Sequence, residues 1–138
     1  MRERSVLIVD DDAGIRLIAD LSLSEGAGWQ VVTAASGEEA LAILEKERPD
    51  LIVLDVMMPG MSGMSVLAAI RKRGLAEDVP VIFMTAKVQS QEMSAYSELG
   101  VAGVISKPFD PVGLAREMDD LCNVFRARNL ASAASVCA

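Results

Sequence analysis

Leu51-Ile52-Val53-Leu54-Asp55-Val56-Met57-Met58-Pro59-Gly60 is an apolar run that ends on an acid and then breaks into a loop. Continuous aliphatic residues without polar alternation read as a strand covered on both faces, the mark of a parallel sheet. A carboxylate at the carboxyl end of such a strand lies where open α/β sheets take their ligands, in the crevice beyond the strand ends. Working outward, residues 6–9 lead in the same way into Asp10 and Asp11, residues 81–84 into Thr85, and residues 104–105 toward Lys107. In an open sheet whose strand order reverses, strand ends that far apart in the chain can converge on one pocket.

Strand and helix signals alternate five times along the chain. Ile15, Ile18 and Leu21 to Leu23 suit a first helix ended by the Gly26 and Gly28 turn, and residues 29–34 a second strand. Ser36 with Glu39 has the form of a capping box ahead of Ala40, Leu41, Ile43 and Leu44, so a second helix is predicted to about Glu47, closed by Pro49. Val66, Leu67 and Ile70 mark a third helix, and Pro80 introduces the fourth strand. The fourth helix, predicted over 88–99, offers only Val88, Met93, Tyr96 and Leu99 as sizeable anchors and should be the loosest. Gly100 and Gly103 bracket a short fifth strand, and Asp110 with Pro111 are read as N-cap and first turn of the last helix. Leu114, Met118, Leu121, Cys122 and Phe125 recur there at helical spacing, which makes Cys122 a core residue and not a reactive thiol. The domain is expected over 4–126, with 127–138 a disordered or frayed tail holding a free Cys137. No internal repeat is present.

With 138 residues, half of them apolar but few aromatic, the chain fits one domain whose core is built from aliphatic side chains. The net charge of −7 argues against direct nucleic-acid binding, which needs clustered Lys and Arg. No stretch is long and apolar enough for membrane insertion or a signal peptide, so a cytoplasmic location is expected. The absence of histidine, with two cysteines, rules out a Cys/His zinc cluster and a His-assisted nucleophile; a structural disulfide is improbable in the cytoplasm.

Asp10, Asp11 and Asp55 together would raise one another's pKa as bare anions, and a hard dication such as Mg²⁺ resolves that repulsion. Asp12 is better read as a cap of the following helix. Asp55, after a long buried run and before a loop able to bend around a ligand, is the best candidate nucleophile, since a carboxylate can form an aspartyl phosphate. Mg²⁺, the Thr85 hydroxyl and the Lys107 ammonium could then each meet one phosphoryl oxygen, which is most of what phosphoryl transfer requires. Alone, Thr85 is an ordinary strand residue and Lys107 a solvated charge; the combination with the acids gives them their meaning.

These residues resemble the receiver domain of two-component response regulators. The match rests on Val9 to Asp12, on Leu54 to Gly63, on Met84, Thr85 and Ala86, and on Lys107, Pro108 and Phe109. The resemblance implies a flavodoxin-like (βα)5 fold, α/β with a five-stranded parallel sheet in the order 2-1-3-4-5. It implies that Asp55 accepts a phosphoryl group from the phosphohistidine of a sensor histidine kinase or a histidine phosphotransfer protein. It further implies that Asp11, Asp55 and the Met57 carbonyl bind Mg²⁺, with Asp10 acting through water, and that the Lys107–Pro108 bond is cis. Such a domain is not an enzyme beyond promoting its own phosphorylation and autodephosphorylation. Its phosphorylation draws Thr85 inward and repacks the fourth helix, fifth strand and fifth helix for a downstream target protein, as a monomer or a phosphorylation-linked dimer. One position departs from the pattern: the fifth-strand aromatic that rotates with the threonine is Val104, which has no such swing, so another readout is required. Met57 and Lys87 stand where the family varies its dephosphorylation rate.

Two other readings compete. Asp10-Asp11-Asp12 after a strand resembles the nucleophile loop of haloacid-dehalogenase-type phosphatases, but Gly14 replaces the usual Thr or Val, and the late acids Asp119 and Asp120 fall within a helix. A phosphorylation-independent binding module with the receiver fold would be expected to lose an acid, the threonine or the lysine, and all are kept. With only a short tail after the last helix, the chain is expected to act through other proteins as a stand-alone regulator, a phosphorelay intermediate or a phosphate sink.

Overall fold

Among the described residues the elements alternate as β1 (Ser5–Val9), α1 (Ala13–Ala27), β2 (Gln30–Ala34), α2 (Gly37–Leu44), β3 (Leu51–Asp55), α3 (Gly63–Lys72), β4 (Val81–Thr85), α4 (Ser90–Glu98), β5 (Gly103–Ser106) and α5 (Leu114–Cys137). The computed structural model describes residues 4–86 and 90–137, the side chains at 90, 91 and 130–137 excepted. Val88 as an anchor, Lys87 and the Cys137 thiol therefore lie outside the described residues. All strand pairs are parallel, in the order β2-β1-β3-β4-β5, the flavodoxin-like order expected.

The aliphatic runs split their side chains between two cores because successive strand residues point to opposite faces. Leu7, Val9, Ile52, Leu54 and Phe83 meet α2 and α3 on one side, together with Tyr96 of α4. Val6, Ile8, Leu51, Val53, Ile82 and Met84 meet Ala19, Leu23, Leu114, Met118 and Cys122 on the other. Cys122 is buried core, and that burial pushes its thiol pKa up.

The helix ends follow local chemistry with some differences. Asp12 caps α1, its Oδ1 accepting from the Gly14 and Ile15 amides at 2.8 and 3.2 Å. Gly28, in the left-handed region at φ 72°, ends that helix, whereas Gly26 lies inside it. Ser36 caps α2, but Glu39 reaches back to the Ala35 amide instead of that of Ser36, and the helix ends at Leu44, short of the predicted Glu47. Ile18 and Leu21, expected to anchor α1, face solvent with Leu17, and the helix docks through Ile15, Ala19 and Leu23 at a spacing of four. The last helix begins at Leu114 and not at Pro111. Asp110 instead closes a tight turn onto the Val112 amide at 3.0 Å, and the Pro111 carbonyl accepts the Ser22 hydroxyl of α1. At its other end α5 continues through 127–137, where no proline or glycine interrupts a run rich in alanine.

Candidate functional site

The carboxyl ends of β1, β3, β4 and β5 bring the acids and the lysine together. Asp10 follows β1 and is buried; its amide donates to Ala34 O at 3.1 Å and its Oδ1 accepts from the Asp12 amide at 2.9 Å. Asp55 closes β3, also buried, with Oδ1 accepting from the Met57 amide at 3.3 Å. Lys107 reaches in from beyond β5 and sets its Nζ 2.6 Å from Asp10 Oδ2 and 3.2 Å from Asp55 Oδ1. Its own amide donates to Thr85 O at 2.9 Å, and the bond to Pro108 is cis. Asp11 is exposed, yet one carboxylate oxygen from each of Asp10, Asp11 and Asp55 lies within 4.8 Å of the others. Thr85 is buried at the end of β4, one residue beyond Met84, the register partner of Asp55. The Met57 side chain is 65% exposed at the rim of this pocket.

These surroundings set the proton affinities. Burial, then the charge of Asp10, raises the Asp55 pKa to about 6, against the opposing charge and hydrogen bond of Lys107 and the Met57 amide. Burial pulls the Lys107 ammonium down, but the hydrogen bond and charge of Asp10, followed by the charge and hydrogen bond of Asp55, outweigh it and hold its pKa above the ordinary lysine value. Among the described residues three carboxylates cluster around the Lys107 ammonium, and the donors are all hard oxygens. That donor set fits Mg²⁺.

Other residues assign themselves elsewhere. Asp119 pairs with Arg4 at 2.6 Å, ahead of β1 and at the opposite end of the strands, so the late acid pair of a phosphatase loop is not part of this pocket. Arg16, which the sequence reading passes over, donates from Nη1 to the Asp10 carbonyl at 2.7 Å. Its position in the first turn of α1, after an acid cluster, was the available signal.

The family profile described as Response regulator receiver domain matches residues 6–119. The chain belongs to that family. As a receiver it is similar to a probable transcriptional regulator ycf27 of Porphyridium aerugineum, 42% identical over 111 residues, covering 80% of this chain and 45% of the relative. The alkaline phosphatase synthesis transcriptional regulatory protein PhoP of Bacillus subtilis is 40% identical over 108 residues, covering 78% of this chain and 44% of the relative. The receiver thus spans under half the length of these curated relatives. Among solved structures, chemotaxis protein CheY4 of Vibrio cholerae superposes with a TM-score of 0.80 at 33% identity, covering 87% of this chain and 99% of that one. Response regulator TrrA of Thermotoga maritima, solved in complex with Mg²⁺ and BeF, gives a TM-score of 0.71 at 34% identity, covering 86% and 98%. The receiver is a phosphoacceptor module of two-component signalling and not a classical enzyme, and none of its described helices is long and apolar enough to cross a membrane.

Proposed function

We propose that Asp55 is the phosphoacceptor, that Asp11, Asp55 and the Met57 carbonyl hold Mg²⁺ with Asp10 acting through water, and that Thr85 and Lys107 bind the transferred group. The observation that carries this reading is the Lys107 ammonium held between two buried carboxylates, within reach of the third acid. An Asp55 oxygen attacks phosphorus, the bond from phosphorus to the donor's imidazole nitrogen breaks, and the departing imidazole takes up a proton. Bound Mg²⁺ would neutralise phosphoryl charge as it transfers. Before transfer Lys107 orients Asp55; afterwards its ammonium is placed to pair with the phosphoryl oxygen replacing that contact. Burial of Asp55 and Thr85 limits water at the reacting carboxylate.

Supporting the metal assignment are the oxygen donor set and the likeness to a receiver solved with Mg²⁺. The donor is a sensor histidine kinase or histidine phosphotransfer protein, and the phosphorylated form switches binding to a downstream protein. With a net charge of −7, the receiver itself contributes protein contacts and not DNA contacts. The functional unit is placed at 4–126, with 127–138 a tail, and its location in the cytoplasm.

Intact mass after incubation with acetyl phosphate and Mg²⁺, beside an Asp55→Asn variant and a chelated control, tests the assignment. One phosphoryl group gained only by the native chain with metal is expected. Gain that survives Asp55→Asn would overturn the nucleophile assignment, and no gain would leave the binding-module reading.

A further inference from the structure

Asp11 is the exposed member of the acid cluster, and its direction depends on the main chain that carries it. The peptide unit is planar, so holding the Asp10 carbonyl also sets the direction of the following bond from N to Cα of Asp11. That carbonyl accepts Arg16 Nη1 at 2.7 Å, while the Asp10 amide is tied to Ala34 O at 3.1 Å. Arg16 is itself fixed, half-buried, in the first turn of a helix capped by Asp12, and its amide donates to Asp12 O at 3.1 Å. The segment 10–12 is therefore clamped from β2 on one side and α1 on the other.

We propose that Arg16 is a positioning residue for divalent-cation binding: by holding the Asp10 carbonyl it aims Asp11 toward the oxygens of Asp10 and Asp55. This rests on the reading of the acid cluster as a Mg²⁺ site. Two effects of Arg16 oppose each other, which makes its role measurable. Its positive charge beside the acids repels a dication, so through charge alone its removal would tighten Mg²⁺ binding. Through geometry its removal frees the peptide that orients Asp11 and weakens binding; outer-shell partners of this kind are worth about 10- to 100-fold in metal affinity. The geometric effect should win. The charge acts beside the exposed Asp11, where salt screens it, while the hydrogen bond restrains the ligand's own backbone.

The test is calorimetric titration of the unphosphorylated full chain with MgCl₂, with thermal melts in chelator to check the fold. Arg16→Met, which keeps the aliphatic stem but loses charge and donors, is expected to raise the Mg²⁺ Kd about tenfold. Arg16→Lys, which keeps the charge and one flexible donor, should fall between native and Arg16→Met. Equal or tighter binding by Arg16→Met overturns the inference. If Arg16→Met does not fold, Arg16→Leu, which also lacks charge and donors, takes its place with the same expectation and the same overturning result. Failure of the native chain to bind Mg²⁺ would instead overturn the metal-site reading beneath it.

Discussion

The half of the sheet covered by α2 and α3 and the edge covered by α4 are built to different standards. On the first, Gly37 and Gly63 let helices approach so closely that an added Cβ would stand 2.6 Å from Val66 Cγ2 and 2.5 Å from Asp55 O respectively. α2 and α3 each bury four residues, whereas Tyr96 is the buried side chain of α4 among its described residues, and Met93 is 37% exposed. The difference teaches where rigidity is required. Asp55 and the acids that follow β1 stand at the ends of the tightly packed strands. On the function proposed above, an element that changes its surface on phosphorylation belongs among those held by few apolar contacts. The ring at that edge is Tyr96, set edge-on to Phe83 at 5.1 Å; Phe83 pairs in register with Val104 and shares a sheet face with Thr85. An aromatic from α4 thus occupies the neighbourhood where the family pattern would place one on β5.

The most severe challenge to this comparison is electrostatic, since the rigid half carries its own cost. The Asp55 pKa is raised to about 6 in the fold from an ordinary 3.8, so the native state binds the proton more tightly than the unfolded chain. That contribution to stability is complete below about 3.8 and is lost as pH rises through about 6, a difference of about 3 kcal/mol at neutral pH. In chelator, Asp55→Asn should melt higher than native at pH 7.5, with the gap closing toward pH 4. A gap independent of pH would mean that ionised Asp55 is not strained by its neighbours.

Next in size, Gly63→Ala should destabilise by about 2 kcal/mol through overpacking against the main chain at Asp55, read by chemical denaturation. It should also slow phosphoryl incorporation, because the group displaced is the Asp55 carbonyl. A neutral result would remove the claim that close packing holds the nucleophile. Tyr96→Leu, at the loose edge, should cost about 1 kcal/mol from the lost ring pair. Amide exchange should speed up in α4 while remaining unchanged in α3. Exchange rising equally in both helices would erase the distinction between the halves. Smallest is Arg73→Ala, which removes the exposed 3.4 Å pair with Glu45 between α3 and α2 and should change stability by less than about 0.5 kcal/mol. A larger loss would show surface pairing, and not the glycine contacts, joining those helices.

Much of the fold was legible because its signals are local. The apolar runs at 6–9, 51–54 and 81–84 are continuous, so the strands and their parallel arrangement could be read directly, and the polar residue ending each run marked the candidate pocket. Other features were not legible for an equally physical reason. Ile18 and Leu21 have the spacing of core residues, but which stripe of α1 meets the sheet depends on the docking angle, and they face solvent. Pro111 has the form of a first-turn residue, but its carbonyl is engaged by Ser22 across a gap of 89 residues, and the helix starts later.

The sequence by itself determined the alternation of elements and the sheet class and picked out Asp10, Asp11, Asp55, Thr85 and Lys107 as the candidate site, because periodicity and residue chemistry act over a few neighbouring positions. Only the tertiary structure decided that Lys107 bridges Asp10 and Asp55, that Gly63 lies against the Asp55 carbonyl and that Arg16 holds the Asp10 carbonyl. Those contacts depend on distances of a few ångströms between separate elements, set by how whole faces pack, and no local pattern encodes them.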